Sequence, residues 1–511
     1  MKNVFILFVS LSLLVSCKKQ DSLSHPVKEV NLLMPVDSIN ALIMQTMHEK
    51  GEFDWNRTTD KFLWSAIAQS GFLVSVGYKP AASVAIDHEM HRIQLNDAPW
   101  VEAKNKVLDL IVANEETLGQ SIEKSSLEVW KEHVLPVLNV EIRNFQTLQA
   151  LRKSPFVRYV EPMEYETLLL KSTTQRATGC SPNEPDRGLI AGVHYGVVTP
   201  FAKASWNYPD HGILDAWRHV SGKGIKVFLI DTGISYSQEN VNNQFNQGFS
   251  SARTLERLVT LPRRRFLGIF NVSPPETPED RCGHGTAMAG ILAAPRGNDG
   301  NVAGIAYNAN LVSCRATEDV FIDAAREVKG VSDAFTEAGS RTDVKVISMS
   351  LGRITISSQI KDAILYASGR GKLIFCAAGT SFPFTAGWAG VIFPASLPEV
   401  QAVTGVKQHS NFTACEECHS GPEVDFVVVM ERASDKKHPL TLSDRGDDPS
   451  SIGGSSAATA SMAAMTALVW SRHQSYSRDQ LLTLLQRYSS FYPQRHARWG
   501  WGKFQPALAV D

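Results

Sequence analysis

The chain has almost no net charge: 51 lysines and arginines stand against 52 aspartates and glutamates, a balance of −1. Without a basic surplus it has no electrostatic means of gathering a polyanion, which excludes nucleic acid as the expected partner. Cysteine is sparse, seven in 511 residues, too few for a fold held mainly by disulfides. Beyond the first seventeen residues no apolar run is long enough to cross a bilayer. The hydrophobic fraction of 43% and charged fraction of 20% are those of an ordinary globular protein, and the length predicts at least two folding units. One further absence bears on chemistry. Asp231-Thr232-Gly233 follows an apolar strand, but the later half of the chain has no second Asp-[Thr/Ser]-Gly to pair with it. That excludes a dyad of aspartates sharing a proton.

What is present begins with an export signal. Lys2 supplies charge, Val4 to Val15 is apolar but short, and Leu14-Val15-Ser16-Cys17 closes the segment. This ending resembles the bacterial lipobox. The resemblance implies cleavage before Cys17, lipid attachment there, and a membrane-anchored lipoprotein of the bacterial cell envelope, periplasmic or surface-exposed; the alternative is a secreted product. The other six cysteines are Cys180, Cys282, Cys314, Cys376, Cys415 and Cys418. In an oxidising compartment three bridges among them have about 15 arrangements. Cys314 and Cys376 lie in apolar runs and read as buried thiols, while Cys415-Glu-Glu-Cys418 reads as a loop staple or free thiols.

The chain divides by composition. Residues 18–60 form a polar tether with a short amphipathic helix around Ile39 to His48. From 61 to 166 strand and helix patterns alternate: a strand at Phe72 to Tyr78, a helix from Trp100 to Glu115, a strand at Leu135 to Ile142, a helix from Phe145 to Arg152 and a strand at Val157 to Pro162. This predicts a small α+β unit. Residues 167–205 read as a linker. From 206 to 511 short apolar strands such as Gly224 to Asp231, Leu311 to Arg315, Asp343 to Met349, Lys372 to Ala377 and Val400 to Gly405 alternate with helices at Ala287 to Ala294, Ile322 to Ala338 and Ser358 to Ser368. Continuous apolar strands are covered on both faces, so the expected architecture is a doubly wound, mostly parallel α/β sheet. Charge is concentrated between Gln408 and Pro449, which reads as an insertion.

Three stretches carry chemistry. Gly453-Gly454-Ser455-Ser456-Ala457-Ala458 enters a run of small residues, predicting an abrupt helix start with the Ser456 hydroxyl exposed and its N–H unpaired. Asp280-Arg281-Cys282-Gly283-His284-Gly285-Thr286 places a histidine between two glycines, as an imidazole approached closely by substrate requires. Asp231 ends the first apolar strand. The chain order is thus Asp, His, Ser.

Asp-Thr-Gly-Ile, Gly-His-Gly-Thr and Gly-Ser-Ser-Ala-Ala resemble the three signature blocks of the subtilisin-like serine protease family, and the resemblance runs from about Trp206 to Asp511. It implies an endopeptidase acting on peptide or protein substrates through Ser456 as nucleophile, His284 as proton carrier and Asp231 as its support, with no cofactor in the reaction. It implies that Ser350, Leu351, Gly352 and Gly379 line the substrate site, and that the Ser456 N–H is one oxyanion donor. The second donor departs from the family: Thr380 stands where relatives usually place Asn. That departure sets up the alternative of a catalytically impaired, peptide-binding relative; an esterase with the same triad is a third reading. Gly297-Asn298-Asp299-Gly300-Asn301 resembles a loop that holds structural calcium in the family, although a Gly/Asn turn needs no metal. Residues 148–162 resemble the end of subtilisin-type propeptide domains. This implies a zymogen whose own propeptide acts as inhibitor, with cleavage between Tyr165 and Ala177.

Overall fold

The computed structural model describes residues 33–83, 85–119, 121–171, 180, 183–266, 270–271, 273–379, 390–409 and 411–511. The expectations for Cys17, Thr380 and the signal segment lie outside the described residues.

The N-terminal part runs α1 (Val36–Lys50), α2 (Asp60–Gln69), β1 (Leu73–Tyr78), α3 (Ala98–Glu115), β2 (Glu128–Trp130), β3 (Val137–Glu141), α4 (Phe145–Lys153), β4 (Val157–Pro162) and α5 (Tyr165–Lys171). Its four strands form an antiparallel sheet in the order β2-β3-β1-β4. Alternation along the strands explains its two faces. Val74 and Val76, Leu138 and Val140, and Val160 point into an apolar cluster with the helices, which also takes in Ile39, Ile43 and Trp55 upstream of residue 61. The intervening Ser75, Asn139 and Glu161 face the other way, towards the C-terminal part.

That second part continues with β5 (Tyr195–Val198), β6 (Ala202–Ser205), α6 (Ile213–Ala216), β7 (Lys226–Asp231), β8 (Leu255–Val259), β9 (Arg265–Phe266), β10 (Phe270–Asn271), α7 (His284–Ala293), β11 (Asn310–Arg315), α8 (Ala325–Ser340), β12 (Val346–Met349) and α9 (Ser358–Gly369). It ends with β13 (Leu373–Ala377), β14 (Gln401–Lys407), β15 (Val424–Glu431), β16 (Leu440–Thr441), β17 (Ser450–Ser451), α10 (Gly454–Arg472), α11 (Arg478–Arg487), β18 (Gly502–Lys503) and α12 (Pro506–Val510). Eight strands pair in parallel in the order β18-β15-β14-β13-β12-β7-β11-β8. This is the parallel α/β sheet, with helices on both faces, that the strand pattern predicts. Both faces are buried for the reason the strand pattern gives: Val227 and Leu229 of β7 pack with α7 and α10, while Phe228 and Ile230 pack with α8 and α9. Leu373 and Phe375 against Ile374 and Cys376 repeat the division in β13.

Two stretches differ from expectation. Gln408 to Pro449, expected as an insertion, contains β15, whose Phe426, Val428 and Met430 enter one core and Val427 and Val429 the other. Charged flanks concealed an ordinary buried strand. Within the stretch expected to be a linker, Ala202 and Ala204 of the β5–β6 hairpin belong to the α7/α10 core.

Cys180 and Cys282 are bridged, as are Cys415 and Cys418; Cys314 and Cys376 are buried free thiols. The first bridge closes a separation of 102 residues and fastens the segment after α5 to the turn just before His284. Closing a loop of that length is worth up to about 4–5 kcal/mol in the chain-entropy picture. Cys180→Ser/Cys282→Ser is therefore expected to lower the thermal midpoint by up to roughly 4–8 °C, read by differential scanning calorimetry against the oxidised wild type.

Candidate active site

Asp231, His284 and Ser456 come from three elements that end or begin at the carboxyl edge of the parallel sheet, where α/β folds place their ligands. Asp231 is the last residue of β7 and is fully buried. One carboxylate oxygen, Oδ1, accepts hydrogen bonds from His284 Nδ1 at 2.8 Å and from the Thr232 N–H at 2.8 Å. His284 opens α7 and is 6% exposed. Burial alone lowers the basicity of its imidazole, but the Asp231 charge and hydrogen bond outweigh burial and hold it above the ordinary histidine value.

Ser456 occupies the third position of α10, after Gly454 at φ +78°. The left-handed glycine makes the sharp entry that leaves the serine partly exposed among buried neighbours. Its N–H is one of the first four of the helix, which lack intrahelical acceptors and carry the positive end of the helix dipole. Its hydroxyl donates to the Ser350 carbonyl at 3.3 Å, and Ser350 Oγ donates back to the Ser456 carbonyl at 3.0 Å. No hydrogen bond joins Ser456 Oγ to His284 among the described residues; a rotation about χ1 is what would redirect the hydroxyl, as catalytic contacts without substrate are commonly loose.

Gly285, after His284, is required by its packing against the Asp231 block. A Cβ on Gly285 would lie 2.1 Å from the Gly233 carbonyl oxygen, and one on Gly233, at φ +107°, would lie 2.5 Å from the Pro278 oxygen. They let the Asp231 and His284 blocks touch backbone to backbone, bringing the two side chains into register.

Asp280 and Thr232 escaped the sequence reading. Asp280 Oδ1 accepts from Thr232 Oγ1, Cys282 N and Gly283 N at 2.9, 3.0 and 2.8 Å, and its Oδ2 accepts from Thr286 N and Oγ1 at 2.8 and 2.7 Å. One carboxylate thus satisfies donors in the turn before α7 and in its first turn. Thr232 Oγ1 in turn accepts from Gly285 N at 2.9 Å. An acidic residue four positions before His284, at a helix entry, was the available signal.

The remaining site residues divide. Gly379 donates its N–H to Ser455 Oγ at 3.2 Å, beside Ser456. Ser350 and Leu351 are 3% and 1% exposed. Gly352 was expected to lend its backbone edge to substrate, but its N–H donates to the Val320 carbonyl at 3.3 Å and its carbonyl accepts from Ile322 N at 2.9 Å. The chain's own residues 320–322 thus pair with that backbone edge in this structure.

The model of the subtilase family matches residues 222–502. An alkaline protease of Alkalihalobacillus alcalophilus is 25% identical over 427 residues, 82% of this chain and 92% of that protein. Thermitase of Thermoactinomyces vulgaris is 27% identical over 196 residues, 38% of this chain and 60% of that one. Among solved structures, an epidermin leader peptide processing serine protease of Staphylococcus aureus, studied as a Ser-to-Ala mutant, superposes with a TM-score of 0.58 at 17% identity, covering 86% of this chain and 99% of that one. The chain belongs to the subtilase family and is a subtilisin-like serine endopeptidase.

Proposed function

We propose that the reaction runs through Ser456, His284 and Asp231 and that the chain is made as an inhibited zymogen. The observation that carries the first part is the 2.8 Å hydrogen bond from His284 Nδ1 to buried Asp231. It fixes the tautomer that leaves Nε2 free to accept a proton. Ser456 Oγ gives its proton to that nitrogen as it attacks a peptide carbonyl; the imidazolium, stabilised by Asp231, then protonates the leaving amine, and water repeats the cycle on the acyl-enzyme. The Ser456 N–H and the Thr380 hydroxyl are the candidate oxyanion donors.

Because His284 must be neutral to act as base, kcat/KM falls as pH drops through its pKa. The Asp231 interaction raises that pKa, so the acidic limb is expected above the ordinary imidazole range, and Asp231→Asn should move the limb to lower pH. A pH profile of kcat/KM for both proteins checks this; a limb that Asp231→Asn leaves in place contradicts it.

The zymogen reading is supported by the way the polar face of the N-terminal sheet meets the helices behind the site. Glu161 Oε1 accepts from the N–H groups of Ser358 and Gln359 at 2.7 and 3.3 Å, capping α9 with a carboxylate. Gln359 Oε1 accepts from Ser75 Oγ and Asn139 Nδ2 at 2.6 and 2.7 Å. Buried Glu166 of α5 accepts from Thr355 N at 2.8 Å, three residues beyond Gly352. The proposed division is a propeptide over 61–166 with support from the helix before it, a linker with the maturation cut over 167–205, and a catalytic domain over 206–511, to whose core the β5–β6 hairpin at the end of the linker adds Ala202 and Ala204. Comparing the wild type with Ser456→Ala on a denaturing gel tests self-processing: the wild type is expected as two fragments and the variant as one full-length chain, whereas equal processing of both assigns the cut to another protease.

Export and lipid attachment at Cys17 belong to the same proposal; among the described residues no helix is long and apolar enough to cross a membrane. Calcium at Gly297–Asn301 does not fit the arrangement of that loop. Asp299 accepts from Gln247 Nε2 at 2.7 Å and Asn301 N at 3.0 Å, and the Lys203 ammonium donates to the Gly300 carbonyl, placing a positive charge where a cation would need one of its ligands. No step depends on it.

A further inference from the structure

Cys415-Glu416-Glu417-Cys418-His419 is a motif that the reaction leaves unused. The bridged cysteines are nearly buried and lie against β14: a Cβ on Gly405 would sit 2.7 Å from Cys418 Sγ and 3.0 Å from Cys415 Sγ. The adjoining backbone is tied to the same strand by Cys415 N donating to Gly405 O at 3.1 Å and by Thr404 Oγ1 donating to the His419 carbonyl. His419, fully buried, then reaches away from β14 in two directions. Its main-chain N–H donates to the Gly379 carbonyl at 3.0 Å, and its ring nitrogen Nδ1 donates to the Gly390 carbonyl at 2.8 Å.

Gly379 is where this arrangement meets the active site. It adopts φ +121°, and a Cβ there would lie 2.7 Å from His419 Nδ1. Only glycine fits between the ring and the site, so the imidazole sets how far the Gly379 backbone can retreat. On its other side the Gly379 N–H donates to Ser455 Oγ, one residue before Ser456. An unbroken series of contacts thus runs from the Cys415–Cys418 bridge through His419 and Gly379 to Ser455.

We propose that His419 is a positioning residue of the active site, holding Gly379 against Ser455, and that the Cys415–Cys418 bridge holds His419. The inference rests on the reading of Ser456 as nucleophile and Gly379 as a wall of the substrate site. A carbonyl acceptor at Gly390 requires the proton on Nδ1. Burial pushes the imidazole down to about 4, so the neutral ring with its Nδ1–H persists across the pH range in which His284 works. A displacement of this wall by about 1 Å misaligns the substrate carbonyl and lowers turnover more than binding.

The test uses the full chain after processing, with kcat and KM measured on a chromogenic peptide beside the thermal midpoint. Asn carries its amide nitrogen near the Nδ1 position, and Gln carries its own nearer Nε2. His419→Asn is expected to keep kcat within about threefold, while His419→Gln and His419→Ala lower it roughly 10- to 100-fold with KM changed less than about threefold. Cys415→Ser/Cys418→Ser is expected to lower kcat in the same direction. Wild-type kcat in His419→Gln, equal losses in the Asn and Gln variants, or a loss confined to KM overturns the proposal. If His419→Ala does not accumulate folded, the Asn/Gln comparison and the cysteine double variant decide. Fluorophosphonate labelling of Ser456 in the wild type is measured alongside. Its absence overturns the nucleophile reading itself, whereas labelling with unchanged turnover in the His419 variants overturns only this inference.

Discussion

Ser456→Ala is expected to lower kcat by about 10⁶-fold and Asp231→Asn by about 10⁴-fold, with KM little changed in either case. These sizes are those of the corresponding subtilisin and chymotrypsin-type variants; the geometry explains why they should hold here. Removing Oγ leaves nothing to attack the carbonyl, and only the oxyanion donors and the binding site still favour the transition state. Asp231→Asn acts differently. The amide presents either an oxygen or an NH₂ group to His284 Nδ1, and it carries no charge to stabilise the imidazolium. Asp231 is fully buried beside nearly buried His284, with Nδ1 2.8 Å from its carboxylate, so bulk solvent screens the lost charge poorly. The two losses are expected to be far from additive, because a base without a nucleophile has nothing to activate. Steady-state kinetics of the single and double variants, each freed of the N-terminal part by an added protease, measures this. A double variant as slow as Ser456→Ala alone fits a triad, and a product of the two separate losses does not.

Arg158→Ala is expected to weaken the hold of the N-terminal part on the catalytic part by about 10²–10⁴-fold. Arg158 of β4 meets Asp362 of α9 with two hydrogen bonds, 2.6 and 2.9 Å, and the adjacent Tyr159 hydroxyl donates to the same carboxylate at 2.9 Å. The Asp362 side chain is 1% exposed and that of Arg158 is 13% exposed. Truncating the arginine leaves a buried carboxylate with only the Tyr159 hydroxyl facing it, a situation that costs about 3–5 kcal/mol. The paired replacement Arg158→Leu/Asp362→Leu removes both charges and should recover most of the loss, since apolar groups leave nothing unpaired. Under the proposed zymogen reading, dilution of processed protein frees active catalytic part, so the concentration at which activity is released reports the affinity. Release by Arg158→Ala at wild-type concentrations would show that the salt bridge contributes no hold.

How far the sequence led depended on whether a residue's role was local. Asp231, His284 and Ser456 stood out because each lies in a short motif with its own turn chemistry, and the strand carrying Asp231 read as buried because apolar residues fill both of its faces. Asp280 was passed over since its partners, the N–H groups of Cys282, Gly283 and Thr286, exist only once the turn has formed. The pairing of Cys180 with Cys282 spans 102 positions, and nothing in spacing selects it from the alternatives. Gly285 looked like an accommodation for substrate; it is an accommodation for Gly233. Val424–Glu431 was hidden inside a charge-rich stretch, although its run of Phe426 to Met430 has the composition of a central strand. At Gly352 the motif is in place, and its pairing with residues 320–322 exists only once the chain has folded.

The identity of the nucleophile is tested most directly by intact mass and peptide mapping after treatment with a fluorophosphonate, on wild type and Ser456→Ala, each with the N-terminal part removed. One adduct on the wild type, mapped to the peptide containing Ser456 and absent from the variant, is the expected result. An adduct on another serine, or labelling that survives in Ser456→Ala, contradicts the assignment of Ser456; no labelling of the freed wild type at any pH above the His284 limb contradicts the active triad.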